Sequence, residues 1–228
     1  KVNTFMTDFL KAALSSERWQ TYEVLAEAAS IAPKELYHRN ILYSKELYVI
    51  LGGLEVVLRN AYHTKLSQKY GKEDWLSEVL SQDVFYFQHK KQLNAAIKNL
   101  TKNKHDKYRI ADLVAELNFG FWVHLTNAPY EQHFWIPALR HCFPNKFGPP
   151  VRQDLEARLK NLLGIRNKIA HLEPIIRNES QLIQVYTSAY DIISWICPDT
   201  AIWFDQSNNF KDVWEKYNQK IRGKNVHQ

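Results

Sequence analysis

The residues with the clearest chemical potential are Arg166, Asn167 and His171, which lie close together in the segment DLEARLKNLLGIRNKIAHLEP at residues 154–174. The guanidinium of an arginine is always charged, and its planar set of N–H groups fits a pair of anionic oxygens. Histidine has a side-chain pKa close to physiological pH, so it can exchange a proton there. These residue types predict a site that binds an anion and moves a proton.

An apolar stripe predicts the helix that must hold these residues. Leu155, Leu159, Leu162 and Ile169 follow one another at spacings of four, three and seven residues, and a helix with 3.6 residues per turn places such positions on one face. The missing member of the stripe is Arg166. A charged guanidinium therefore occupies a position where the pattern predicts a buried apolar side chain, and burying a lone charge is costly.

A neighbouring stripe of the same helix carries Asn167 and His171, which are four residues apart. Pro174 disfavours helical geometry at Glu173, so the pattern places His171 in the last turn. The carbonyl end of a helix dipole favours a protonated imidazole. We therefore expect His171 to titrate near physiological pH.

Two simpler interpretations of Arg166 and His171 are open at this point. An arginine on an apolar stripe often lies at the edge of a core, with its charge in water or paired with one carboxylate. A histidine near a helix end often serves only as a C-terminal cap. Spacing alone does not separate these interpretations from a catalytic site, because a short pattern has many chance matches.

The composition is that of a globular protein with a modest excess of positive charge. The chain has 228 residues, of which 45% are hydrophobic and 24% charged, which suffices for a sizeable core. Thirty Lys and Arg against 24 Asp and Glu give a net charge of +6, which permits binding to a polyanion without requiring it. We find neither a secretory signal nor an apolar run of the roughly 18 residues that a membrane span needs. These observations predict a cytoplasmic protein that does not enter a membrane.

Other chemistries find little support in the sequence. His133, His141 and Cys142 lie close together, but their spacing matches no standard zinc ligand set. With Cys197 as the only other cysteine, the chain offers no disulfide framework. A glycine-rich phosphate loop, a His-Glu-x-x-His pair and a Gly-x-Ser-x-Gly elbow are all absent from the sequence. We predict neither a metal nor another cofactor.

A second long helix is predicted from Glu35 to about Lys69 by apolar residues at helical spacing. Gly52 and Gly53 fall inside it and are expected to weaken it or to permit close packing. Glu55 and Arg59 are four residues apart with the acid first, which is the arrangement of a favourable helical ion pair. A solvated pair at the edge of the core is an equally good interpretation.

The rest of the chain shows apolar residues at helical spacing, without an alternating strand pattern or an internal repeat. We predict one all-α domain over residues 1–228, with its core at about 19–195 and a C-terminal helix and frayed tail at 196–228. Residues 101–107 are predicted to form a polar, basic loop. Residues 127–150, rich in proline and aromatic side chains, are predicted to form an irregular connection.

Three elements of the sequence together resemble the Abi-like (abortive-infection) proteins of the HEPN superfamily. The first is the long helix, with a Leu-Tyr-x-x-Asn element at 36–40 and a Glu-Val-x-Leu-Arg-Asn element at 55–60. The second is the aromatic segment FGFWVHL at 119–125. The third is RLKNLLGIRNKIAHLEPI, which carries the arginine, four residues and histidine of the HEPN motif at Arg166 and His171. The elements occur in the family's order and span most of the chain.

This resemblance implies a HEPN-like helical bundle with additional helices, which forms a homodimer and brings two arginine–histidine motifs together in a cleft. Many members of the family are metal-independent endoribonucleases of phage defence or toxin–antitoxin systems. Others are non-catalytic modules that bind RNA, a nucleotide or a protein partner. Some of the toxins carry a tyrosine two residues after the histidine, where an antitoxin modifies them. Glu173 occupies that position here, so the resemblance does not extend to that mode of silencing.

The resemblance also implies a role for each matching residue. The two copies of His171 would divide the acid and base roles in attack by the RNA 2′-hydroxyl, while Arg166 binds phosphate oxygens as charge develops. Asn167 would orient His171 or hold a phosphate oxygen. The implied substrate-binding residues lie on the long helix and are Tyr37, Asn40, Glu55, Arg59 and Asn60. An antitoxin or another regulatory partner is the remaining implied partner.

Overall fold

A computed structural model describes residues 10–104 and 107–222 of the chain. Within these ranges the secondary structure is helical and contains no strand, so the all-α prediction is confirmed. No helix among the described residues is long and apolar enough to cross a membrane. The α-helices are α1 (10–14), α2 (Ser16–Ala29), α3 (Pro33–Tyr70), α4 (Trp75–Ser81), α5 (Phe87–Lys104), α6 (Ile110–Glu116), α7 (Phe119–His124), α8 (Arg152–Ala170), α9 (Glu179–Ile196), α10 (Pro198–Gln206) and α11 (Phe210–Arg222).

The 38-residue helix α3 is the axis of the molecule, and α2, α8, α9, α10 and α11 all pack against it. Pro33 is compatible with the first helical position because the amide hydrogen it lacks has no partner there. Gly71 ends the helix in the left-handed conformation, with φ of 68°. The predicted helix from Glu35 to Lys69 is thus confirmed, with ends that differ by one or two residues.

The two glycines in the middle of α3 have different surroundings. The helix continues through both of them without a break. A Cβ atom at Gly53 would lie 2.5 Å from the ring of Phe204, so this glycine lets α10 pack closely on α3. A Cβ atom at Gly52 would meet nothing within 4 Å. Close packing therefore explains Gly53 and leaves Gly52 unexplained within the chain.

The irregular connection predicted at 127–150 is confirmed, since short 3₁₀ and π turns at Ala128–Tyr130, Glu131–Trp135 and Leu139–Cys142 replace α-helix there. The basic loop predicted at 101–107 is wrong over its first part, because α5 continues to Lys104; residues 105 and 106 lie outside the described part. The frayed tail predicted for the end of the chain falls on residues 223–228, which also lie outside it.

Helix α8 carries the arginine–histidine segment and packs between α3, α7 and α9. The predicted apolar stripe is buried, with Leu155, Leu159, Leu162 and Ile169 each at most 7% exposed. Because these side chains anchor α8 over its length, the position of its C-terminal end is determined by the core. The same anchoring orients the residues that follow the helix.

Candidate functional site

The C-terminal end of α8 is a hydrogen-bonded turn that presents His171. The helix ends at Ala170, so His171 is the capping residue. The prediction that His171 lies in the last turn of the helix is therefore wrong. Its amide N–H donates to the carbonyl of Asn167 at 3.0 Å, and the amide of Glu173 donates to the carbonyl of Lys168 at 2.8 Å. These bonds hold the backbone of the turn, while the His171 side chain is exposed.

Leu172, the next residue, has a backbone conformation that glycine normally supplies. Its φ is 57°, in the left-handed region where a side chain is unfavourable. Its amide donates to the carbonyl of Ile169 at 3.0 Å, which completes the capping turn. The leucine side chain is 69% exposed, so burial of that side chain does not compensate for the strain.

The chain after this turn is held by Asn40 of α3. The side chain of Asn40 is buried, and its Oδ1 accepts a hydrogen bond from the amide of Ile175 at 2.9 Å. Ile175 follows Pro174 directly, so the bond ties the segment beyond His171 to the central helix. Asn40 therefore positions the turn from inside the protein, with its oxygen already engaged.

Arg166 lies at the edge of the core and meets a single carboxylate. Its Nη2 atom donates to Oε2 of Glu55 at 3.2 Å, and its Nη1 atom to Oδ1 of Asn167 at 3.4 Å. The arginine side chain is 29% exposed, so part of the guanidinium remains open to solvent. This arrangement explains how the arginine is accommodated on an apolar stripe, and it leaves N–H groups available for an anion.

The substrate-binding residues predicted in the second half of α3 are only partly brought together. Glu55 bonds Arg166 and not Arg59, so the predicted ion pair within α3 does not form. The Nε atom of Arg59 instead approaches Oδ1 of Asn60 at 3.5 Å. Asn60 lines a different cavity together with His141. The structure thus places Glu55 at the site and turns Asn60 away from it.

A cationic groove runs between α8 and α9 beside the His171 turn. It has a volume of about 480 Å³ and contains Lys168 and Arg177, and no carboxylate lines it. Within residues 10–104 and 107–222, neither cation takes part in an ion pair. Four amide side chains complete its polar lining, namely Asn161, Asn178, Gln181 and Gln184. The groove offers positive charge and hydrogen-bonding groups, and its Arg177 also lines a second cavity together with Glu17.

An apolar cavity lies on the other side of the turn, between α3, the C-terminal end of α8 and Leu172. Its volume is also about 480 Å³, and Tyr37 and Asn40 both line it. Sequence reasoning identified these two residues but missed Tyr22, Tyr48 and Leu172, which also line it. The sequence does not distinguish them because aromatic and apolar residues at helical spacing are typical of an ordinary core.

No group of three His, Cys, Asp or Glu side chains among the described residues could hold a metal ion. His141 and Cys142 do line one cavity, but Asn60, Thr64 and Lys65 complete its polar lining, so the cavity offers no carboxylate ligand. What the site supplies is an accessible guanidinium, an exposed imidazole and adjacent unpaired cations.

Comparisons with known proteins give no match to this chain. No protein-family model matches the sequence. Neither a curated protein nor a solved structure matches it. Function must therefore be inferred from the site itself.

Proposed function

We propose that this protein is a metal-independent endoribonuclease of the HEPN type and an Abi-like effector of phage defence. It acts in the cytoplasm and is controlled by an antitoxin or another regulatory partner. The observation that carries the proposal is the C-terminal end of α8. Arg166 keeps part of its guanidinium in solvent beside a single carboxylate, and His171 is exposed on a turn that three backbone hydrogen bonds define.

The chemistry follows from these two side chains. A neutral His171 takes the proton from an RNA 2′-hydroxyl, and the resulting oxygen attacks the adjacent phosphorus. Arg166 donates N–H groups to the non-bridging oxygens as negative charge develops on them. A protonated imidazole gives its proton to the departing 5′-oxygen. The products are a 2′,3′-cyclic phosphate and a free 5′-hydroxyl, and DNA is not cleaved because it lacks the 2′-hydroxyl.

A homodimer supplies the second imidazole, because one His171 cannot be neutral and protonated at the same time. The surface of α3 next to Glu55 is suited to receive the second copy. Val56 is 43% exposed there, and Gly52 lies one turn away with open space above it. A glycine inside a helix costs about 1 kcal/mol relative to alanine, so close approach of another chain would account for it. This contact would bring the Arg166–His171 sites of the two subunits to the same face of the dimer.

The charge around the turn supports an RNA substrate. Lys168 and Arg177 line the groove next to Pro174, and no acidic residue of the described ranges is part of that lining. Unpaired cations of this kind bind phosphates of a polynucleotide by releasing counterions, which makes affinity fall steeply with salt. The net charge of +6 acts in the same direction.

The test is a cleavage assay on a mixed pool of RNA with excess EDTA. The parent protein is compared with His171→Ala and Arg166→Ala, and His133→Ala serves as the control because His133 is also an exposed histidine. We expect the parent and the control to produce cyclic-phosphate ends, and the other two variants to lose at least about 100-fold in rate. Light scattering reports the oligomeric state of each protein.

Three results would contradict the proposal. Cleavage that persists in His171→Ala would assign the activity to other residues or to a contaminant. A parent dimer that binds RNA and never cleaves it, including in cells infected with phage, would identify a non-catalytic binding module. A monomeric mass at micromolar concentration would exclude the composite site.

A further inference from the structure

The apolar cavity beside Leu172 has features of a ligand site that the proposed reaction does not use. It opens between α3 and the His171 turn, and its apolar lining includes Ile41, Ile169 and Leu172. Ile41 is 46% exposed and Leu172 is 69% exposed, so its rim consists of apolar surface that faces water. Exposed apolar surface around a cavity of this size is typical of a binding site.

The floor of the cavity contains an unsatisfied polar group. Tyr22 is fully buried, and its hydroxyl makes no hydrogen bond of ordinary geometry, although the side chain of Asn40 is close enough to interact with it. Burial raises the pKa of this tyrosine to about 12, so the hydroxyl is neutral and available as a donor. A buried polar group without a partner is costly. A ligand with a polar edge could satisfy it.

Aromatic groups surround this floor. The ring of Tyr37 stands edge-on to the ring of Tyr22, with 5.0 Å between their centroids. Tyr48 is 57% exposed at the mouth of the cavity, and Lys45 also lines it, with its amine paired to the carboxylate of Glu46 at 3.2 Å. Aromatic faces above a polar floor match a planar nucleobase, which stacks on aromatic rings and carries polar groups at its edge.

We propose that this cavity receives one unpaired nucleobase of the RNA and thereby restricts cleavage to single-stranded sites. The inference rests on the proposed function, since the RNA is the substrate of the Arg166–His171 site. Leu172 follows His171 directly and forms part of the cavity wall. A base seated against Leu172 therefore places its own phosphate next to the catalytic turn. A base in a duplex cannot enter, because it is stacked and paired.

The strained turn gives this cavity a direct connection to His171. Leu172 holds a left-handed conformation that costs free energy, and the amides of Leu172 and Glu173 both bond the end of α8. A base packed against the leucine side chain would stabilise that conformation by burying its exposed surface. Base recognition and the orientation of His171 then depend on the same turn.

The experiment measures RNA binding in the His171→Ala background, where the substrate stays intact. The probe is a fluorescein-labelled single-stranded RNA of mixed sequence, followed by anisotropy, and the duplex of the same sequence is the comparison. Tyr48→Ala is tested against Tyr86→Ala, because both tyrosines are 57% exposed and only Tyr48 lines the cavity. We expect Tyr48→Ala to weaken single-strand binding about tenfold and Tyr86→Ala to leave it unchanged.

Two further measurements locate the base. An RNA carrying 5-iodouridine should crosslink on irradiation to the tryptic peptide that contains Tyr48 or to the one that contains Tyr37. Tyr22→Phe removes only the buried hydroxyl, so we expect RNA affinity to fall a few-fold while thermal stability stays equal or rises. A merely structural role for Tyr22 would leave RNA affinity unchanged.

Three outcomes would overturn the cavity assignment. One is equal RNA binding by Tyr48→Ala and the Tyr86→Ala control. Another is crosslinking confined to peptides that contain neither Tyr48 nor Tyr37. The third is conversion of Tyr48→Ala to a monomer, which would make the cavity part of the subunit interface. These outcomes differ from failure of the ribonuclease proposal, which the cleavage assay on the parent decides. RNA binding through Tyr48 by a protein that never cleaves would support the cavity and reject the enzyme.

Discussion

The two ends of α8 each carry an arginine, and their surroundings differ. At the N-terminal end, Arg152 is 6% exposed, and its guanidinium donates to Glu131 at 3.0 Å, to the carbonyl of Thr126 at 2.9 Å and to Glu156. At the C-terminal end, Arg166 is 29% exposed and meets Glu55 at 3.2 Å. One arginine is enclosed by acceptors, and the other has a single carboxylate and access to water.

This difference separates a structural arginine from a candidate functional one. Arg152 lies at the first position of a helix, where the dipole disfavours a positive charge, and two carboxylates compensate for it. These hydrogen bonds join α8 to the connection after α7. They leave few N–H groups of Arg152 available to bind a ligand. Arg166 retains donors that a phosphate could use. Incomplete satisfaction of a charge thus distinguishes the candidate functional end of the helix better than the residue type does.

Removal of Arg152 should cause the largest loss of stability. Arg152→Ala leaves Glu156 and the Thr126 carbonyl without their buried partner, so we expect the free energy of unfolding to fall by about 3–5 kcal/mol. Arg166→Ala should cost less than about 1 kcal/mol, because its ion pair is partly exposed. Urea unfolding of both variants at neutral pH measures the contrast. Equal losses would show that Arg166 is as structural as Arg152.

Acid should weaken the part of the protein around α7 through His89. Its Nε2 atom donates to the carbonyl of Phe121 at 3.2 Å, and its Nδ1 atom accepts from the hydroxyl of Tyr130 at 2.9 Å. Burial lowers the pKa of His89 from 6.5 to about 4. Between about pH 4 and 6.5, the unfolded chain therefore binds a proton at His89 that the folded chain does not.

Stability contributed by the neutral His89 is complete above about pH 6.5 and is lost as the pH falls towards 4, by about 3 kcal/mol in total. Urea unfolding between pH 7 and 4 measures this loss, and His89→Gln should show a flatter pH dependence than the parent. Identical pH profiles would mean that other groups govern acid sensitivity.

A similar comparison can be made between the two glycines of α3, because Gly53 is closely packed and Gly52 is open. Gly53→Ala places a Cβ atom against the ring of Phe204, so we expect a loss of about 1–3 kcal/mol. Gly52→Ala enters open space in the single chain and should raise helix stability by up to about 1 kcal/mol. Thermal unfolding together with light scattering tests both. A dimer that Gly52→Ala does not weaken would place the second copy elsewhere.

The smallest expected effect tests the single carboxylate at the functional end. Glu55→Gln removes the charge that Arg166 faces, so more of the guanidinium charge is available to phosphate. We expect RNA affinity to rise about threefold, since a partly exposed ion pair contributes roughly 0.5–1 kcal/mol. Glu35→Gln is the control, because it removes one of the two carboxylates that pair with another arginine, Arg39. Anisotropy at low and moderate salt measures both, and weaker RNA binding by Glu55→Gln would contradict the assignment.

The spacing of apolar residues predicted the helices well. Prediction failed where one residue type can have two structural roles. The stripe from Leu155 to Ile169 is buried as predicted, because helical spacing alone determines which side chains share a face. A proline after an apolar helical run indicates the end of a helix, yet Pro198 also begins α10, since proline is compatible with the first turn of the next helix. Arg152 escaped notice because nothing local distinguishes it from an exposed arginine.

By itself, then, the sequence determined the helical class of the described residues, the buried stripe of α8 and the presence of an arginine and a histidine at its end. Only the tertiary structure decided that Arg166 meets Glu55, 111 residues away, and that Asn40 holds the segment after His171. It also decided which arginine is fully paired and which tyrosines line a cavity. Periodicity is a property of neighbouring residues, whereas charge pairing and cavities depend on how distant helices pack together.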